Sequence, residues 1–215
     1  MSAEELQENA IAILENLEDF QHLMMCYNAA MLTVKTKLDI LNIELTQEER
    51  RLNPIEAIHC RLKEPLSIIK KLERRHLPLT IQSIGELTDV AGLRVVCSFL
   101  DDLYLLRDYL LKQDDVILVA EKDYIKQPKA SGYRSLHLII QVPVYLSTKR
   151  YELPVEVQFR TLAMDLWASN EHKLCYKQDF EDPEVAEALK NCADAIAKVD
   201  LAMQKIKDEL TVLAL

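Results

Sequence analysis

Residues 129–141 read KASGYRSLHLIIQ and hold one of only three glycines in a chain of 215 residues. As a strand, this stretch puts Leu136, Leu138 and Ile140 on one side and Ser135, His137 and Gln141 on the other, with Tyr133 in line behind them. One face suits a core, and the other presents groups capable of chemistry. The split returns in PVEVQFR (154–160), where Val155, Val157 and Phe159 share a side and Glu156, Gln158 and Arg160 share the opposite one. LRVVCSF (93–99) is a third β-branched run, with Asp89 just before it and Arg94 within it. A half-solvated antiparallel strand shows the same alternation without any function, so each strand alone leaves both readings open.

Helical periodicity separates and follows these strands, in LDDLYLLRDYLLK (100–112) and TLAMDLWASNEHKLCYK (161–177). The sequence therefore predicts an α+β protein, a mixed central β-sheet flanked by helices, with an α/β arrangement as the alternative. Long helices are expected at both ends. Ile13, Leu17, Phe20, Met24, Tyr27, Met31, Val34, Leu38, Leu41 and Leu45 keep a heptad rhythm, as do Leu189, Cys192, Ile196, Val199, Met203, Ile206 and Leu210. Such narrow apolar seams call for other helices, within one chain or across copies, and an oligomer is expected. This divides the chain into an N-terminal helical arm (1–52), a central domain (53–177) and a C-terminal helix for packing or oligomerisation (178–215).

The formal net charge is −9, yet HCRLKEPLSIIKKLERRH (59–76) carries six Lys or Arg against two Glu. A basic island in an acidic protein suits a compact polyanion such as a nucleotide phosphate chain, although a solvated basic helix face gives the same pattern. The five cysteines form no C-x-x-C pair and do not cluster with histidines, which argues against a zinc site or a disulfide framework. The acidic amino terminus and the lack of a membrane-length apolar run lead us to expect a cytoplasmic protein.

With only Gly85, Gly92 and Gly132, the chain has neither a Walker A loop nor G-x-G-x-x-G. Phosphates would have to be held by side chains, for which Arg61, Lys63, Ser67, Lys71 and Arg74 are the candidates. Asp89 and Glu156 are candidates to converge on Mg²⁺, which takes one or two protein carboxylates beside water and phosphate oxygens. Taken singly, Asp89 also reads as a turn residue and Glu156 as a solvent-facing strand residue.

RLKEPLSIIKKLER, DVAGLRVV, EKDYIKQPKASGYRSLH and VEVQFRT, in that order and spacing, resemble the synthetase domain of RelA/SpoT-type alarmone enzymes. The likeness is greatest to the monofunctional small alarmone synthetases and spans roughly residues 53–177. It implies a nucleotidyltransferase-like fold and a GTP pyrophosphokinase, which moves the β,γ-pyrophosphate of ATP to the 3′-hydroxyl of GDP or GTP in stringent-response signalling. By resemblance Arg61 and Arg94 flank the adenine, and Lys63, Ser67, Lys71 and Arg74 hold the ATP phosphates. Asp89 and Glu156 bind Mg²⁺, Glu156 doubling as the base. Tyr133 stacks the guanine, His137 and Gln158 sit near the acceptor nucleotide, and Lys122 and Lys129 contact its 5′ phosphates. A homotetramer is also implied.

Three positions depart from the family pattern. Ser131 replaces a common Asn, Ala120 replaces an Arg found in some members, and Ala57 stands where members activated by alarmone tend to carry an aromatic residue. The chain has no His-Asp pair of the kind used for alarmone hydrolysis, so synthesis alone is expected. The rival readings are a nucleotidyltransferase acting on another acceptor and a catalytically inactive nucleotide- or RNA-binding module of the same fold. The sequence shows no long basic groove for single-stranded RNA.

Overall fold

The structure, a computed structural model, describes residues 17–47, 53–175 and 182–213. In chain order these form α1 (Leu17–Gln47), β1 (Ile55–Leu62), α2 (Pro65–Arg74), α3 (Ile81–Gly85), β2 (Ala91–Cys97), α4 (Leu100–Leu111), β3 (Ile117–Asp123), β4 (Leu136–Tyr145), β5 (Arg150–Thr161), α5 (Leu162–Cys175) and α6 (Pro183–Leu213). The strands make one mixed five-stranded sheet in the order β1-β2-β5-β4-β3, in which only β2 and β5 run parallel.

The alternation read from the sequence decides which side of the sheet is dry. Leu93 and Val95 of β2, Leu136, Leu138 and Ile140 of β4, and Val155, Val157 and Phe159 of β5 are buried on one face. Tyr27, Val34, Leu38 and Leu45 of α1 and Leu103, Leu106 and Leu110 of α4 join the same core. Burying each such side chain is worth about 1.5–3 kcal/mol, which is why this face fixes the sheet against α1 and α4.

The sequence shows β2, β4 and β5 but not β1 or β3, which are the two edges of the sheet. Edge strands face a partner on one side only, and in β3 Ile117, Leu118 and Val119 are all exposed, so no in–out alternation marks it.

The two heptads also behave differently from the helix-on-helix packing expected of them. The described part of the first lies against the sheet, since an apolar stripe is satisfied by any dry surface; Ile13 falls outside the described residues. The second is split. Leu189 and Ile196 pack on Trp167, Ala168 and Ala193, whereas Cys192, Val199, Met203, Ile206 and Leu210 stay exposed. The docked line of α6 instead continues through polar groups. Asp200 Oδ2 accepts from Thr161 Oγ1 at 2.8 Å, and Lys207 Nζ reaches Asp101 at 2.7 Å and Asp102 at 3.0 Å. Thr161 also caps α5, its Oγ1 accepting from the Met164 N–H at 3.0 Å.

Leu38→Ala should lower unfolding free energy by about 2–5 kcal/mol in urea titrations, whereas Ile40→Ala, on the exposed side of the same helix, should change it by less than about 0.5 kcal/mol.

Candidate active site

On the wetter face of the sheet, strand register sets side chains into rows. One row runs Lys122, His137, Gln158, Arg94, His59, and the next runs Ile139, Glu156, Gly92, Arg61. Gly92 leaves a gap between Glu156 and Arg61. A Cβ there would meet nothing closer than backbone oxygens at 3.8 Å, so the backbone does not demand glycine; the gap serves the space above it.

That space is a cavity of about 550 Å³, within the usual range for a small-ligand site. Arg61, Lys63, Asp89, Arg94, Tyr133, Glu156 and Gln158 line it together, and Ala168, Ser169, Glu171, His172 and Lys173 of α5 close one side.

Asp89 sits where the chain enters β2. The backbone N–H of Lys63 donates to Val90 O at 2.8 Å, which brings the end of β1 alongside. Pro65 starts α2 at its first turn, where its missing N–H costs nothing. Ile68, Ile69 and Leu72 bury one side of that helix, and Lys71 is left facing Asp89. Asp89 Oδ2 thus receives Lys63 Nζ at 2.7 Å and Lys71 Nζ at 2.5 Å. Its Oδ1 is buried and has no hydrogen-bond partner among the described residues. Burial pushes the Asp89 pKa up, but the bonds and charges of the two lysines outweigh it and hold the group below its ordinary value.

Glu156 belongs to a closed ring of hydrogen-bonded side chains. His137 Nδ1 lies 3.4 Å from Glu156 Oε1, and Gln158 Nε2 donates to Glu156 Oε2 at 2.9 Å. Arg160 Nη2 donates to Gln158 Oε1 at 3.0 Å and to Tyr133 Oη at 2.9 Å, and Tyr133 Oη meets His137 Nε2 at 2.8 Å. An ionised Glu156 can only accept, so the His137 Nδ1 that faces it carries a hydrogen, while Nε2 shares its contact with the Tyr133 hydroxyl. Burial and the charge of Asp89 push the Glu156 pKa up; His137 and Gln158 prevail and keep it below its ordinary value.

Asp165, in the first turn of α5, anchors the ring from outside. Its Oδ1 takes Arg160 Nη1 at 2.9 Å and Arg94 Nη1 at 3.2 Å. Tyr124 adds edge-on contacts to Tyr133 and His137, at 6.0 and 5.3 Å between ring centroids.

Of the residues singled out from the sequence, Lys71 and His137 join the cavity-lining set through Asp89 and Glu156. The remaining four lie outside the lining. Lys129 Nζ stands 4.7 Å from the ring centroids of both Tyr124 and Tyr133. Lys122 is exposed beside His137, Ser67 is half-buried one turn before Lys71, and Arg74 is exposed with its Nε on the Lys70 carbonyl at 3.4 Å. Sequence reasoning missed Asp165, Tyr124 and the α5 wall, and it placed Arg160 on the polar face of β5 without giving it a part. Arg160 pairs with Asp165, and its position after Glu156 and Gln158 on that face was the available signal.

The sequence profile of the region found in RelA/SpoT proteins matches residues 60–181. The chain belongs to the RelA/SpoT family. Its similarity to curated members runs nearly end to end: it is 38% identical to GTP pyrophosphokinase YwaC of Bacillus subtilis strain 168, over 90% of this chain and 93% of that protein. Among solved structures of the family, small alarmone synthetase 2 from B. subtilis superposes with a TM-score of 0.81 at 37% identity, covering 89% of this chain and 99% of that one. Small alarmone synthetase 1 from B. subtilis, solved with its product pppGpp, gives a TM-score of 0.80 at 33% identity, covering 88% and 97%.

A carboxylate whose pKa is lowered by folding stabilises the protein fully above its unfolded value, near 4.5 for Glu156, and loses that contribution as pH falls through the lower native value. Thermal unfolding from about pH 6 to about pH 3 should therefore show wild type losing more stability than Glu156→Gln; parallel curves would contradict the ring's hold on Glu156.

Proposed function

We propose that this chain is a (p)ppGpp synthetase, transferring the β,γ-pyrophosphate of ATP to the 3′-hydroxyl of GDP or GTP. The 3′-oxygen attacks the β-phosphorus, the bond from that phosphorus to the α,β-bridging oxygen breaks, AMP leaves, and the hydroxyl proton passes to a base. The observation that carries this reading is one cavity that unites a basic wall, two carboxylates and an aromatic ring without any glycine-rich phosphate loop.

Arg61 and Arg94 sit diagonally on the paired strands β1 and β2 and both line the cavity, the two sides between which the adenine would lie, and Lys63 and Lys71 are placed to neutralise the donor's phosphates. Ser67 and Arg74, further along α2, extend that basic side. Glu156 is the base and the group that orients the 3′-hydroxyl; His137 and Gln158 hold both its oxygens and keep it ionised, ready to take a proton. Tyr133 is the guanine platform. Lys129, whose ammonium already stands by the Tyr133 ring, would meet the acceptor's 5′ phosphates together with Lys122.

Asp89 and Glu156 are fit to hold Mg²⁺. The buried Oδ1 of Asp89, without a partner among the described residues, supports this, as does the charge of Asp89 felt at Glu156. Among the described residues no three His, Cys, Asp or Glu side chains gather as a ligand set, so phosphate oxygens and water would complete the shell. When bound, the ion supplies charge neutralisation on the transferred phosphates. No described helix is long and apolar enough to cross a membrane, in keeping with a cytoplasmic enzyme. The exposed Val199, Met203, Ile206 and Leu210 of α6 support a homo-oligomer, a tetramer in our reading.

Purified protein with ATP, Mg²⁺ and GDP or GTP should release AMP and a guanosine carrying a 3′-diphosphate, resolved by anion-exchange chromatography. Glu156→Gln should lower kcat at least about 10²-fold, and chelating the metal should stop turnover. AMP joined to an acceptor would point to a different nucleotidyl transfer, and guanine-nucleotide binding with no ATP consumed would point to a binding module.

A further inference from the structure

We propose that the first half of α6 is a working part of the acceptor site, with Ala193 and Asp194 acting as positioning residues for the loop that carries Tyr133. The proposal rests on the reading of Tyr133 as the acceptor's platform. It concerns a segment beyond the family-wide region, which ends at residue 181, before α6 begins at Pro183.

The residues on either side of Tyr133 are both gripped by the same turn of α6. Gly132 adopts φ +89° and faces the helix; a Cβ built on it would lie 2.6 Å from Ala193 Cβ. Loop and helix therefore touch with the smallest possible residue on one side and a single methyl on the other, and neither has room to grow. On the other flank, Arg134 Nη1 donates to Ala193 O at 3.0 Å and Nη2 to Asp194 Oδ1 at 3.1 Å. The Tyr133 ring packs on the cluster of Trp167, Ala168 and Ala193, and Trp167 Nε1 donates to Leu189 O at 2.9 Å, fastening α5 to α6 beneath it.

The loop is also closed on itself. Gly132 N–H donates to Lys129 O at 2.8 Å and Lys129 N–H donates to Tyr133 O at 3.2 Å, so Lys129 and Tyr133 move together. A shift of α6 at Ala193 thus travels into the tyrosine platform and the lysine above it. The donor side is less directly coupled. Arg61 and Lys63 lie at the β1 edge of the sheet, and the Tyr133 loop joins β3 to β4 towards the opposite edge. Arg94 is reached from Tyr133 only through Arg160 and Asp165. The resulting signature is lopsided: acceptor binding depends on α6 far more than donor binding does.

The test compares KM for GDP, GTP and ATP in Ala193→Leu, which overfills the contact, and Arg134→Ala, which releases the grip without adding bulk. In both variants KM for GDP and GTP should rise about tenfold or more while KM for ATP stays within about twofold, since a misplacement of about 1 Å at a binding group has effects of this size or larger. If Ala193→Leu does not fold, Arg134→Ala decides alone. Unchanged acceptor KM, or equal rises for donor and acceptor, overturns the proposal. Tyr133→Ala separates the two levels: a raised acceptor KM there, with none in the α6 variants, removes the role of α6 and leaves the acceptor site standing, whereas no rise in any of them removes both.

Discussion

Parallel pairing of β2 with β5 sets Gly92 beside Glu156 and Arg94 beside Gln158, and the antiparallel neighbours carry those rows out to Arg61 and His137. Side chains alternate between faces, so a slip of one residue in that pairing would turn Arg94 into the core and Leu93 into the cavity. The register is secured from the far side. The buried Leu93, Val95, Val155, Val157 and Phe159 cannot leave α1 and α4 without exposing apolar surface. The chemistry on one face is therefore held by packing on the other.

On the polar face the same logic runs through hydrogen bonds. Arg160 is nearly buried and would be costly there if unpaired, yet its guanidinium reaches Asp165, Tyr133 and Gln158 at once. Because the ring returns to Glu156 by two routes, moving any member disturbs both oxygens of that carboxylate. Asp165 adds a tie between the two halves of the cavity, since it holds Arg94 as well as Arg160.

What the sequence disclosed followed from periodicity. β2, β4 and β5 are interior strands with one wet and one dry face, and α4 and α5 have clear helical spacing and lie close to their expected bounds, whereas β5 already starts at Arg150, ahead of PVEVQFR. β1 runs into the basic stretch and β3 lies in an exposed apolar run, because an edge strand need not alternate. Within the site, Asp89, Glu156 and the basic residues between Arg61 and Arg74 could be named because each of those residue types carries its chemistry openly, whereas the parts of Tyr133, Lys122 and Lys129 came through the family resemblance. Asp165 was illegible because an acidic residue in a first helical turn ordinarily serves the helix itself. The contact at Gly132 was not legible, since its neighbour Ala193 lies in another element.

The pairing of Lys63 and Lys71 with Asp89 shapes how the cavity fills. An anion arriving alone would draw both ammonium groups away and strand a largely enclosed carboxylate; a cation arriving alone would claim that carboxylate and leave two like charges facing each other. When opposite charges enter together, each group exchanges one counterpart for another, so the resting ion pairs favour joint arrival of a cation and an anion over either one singly.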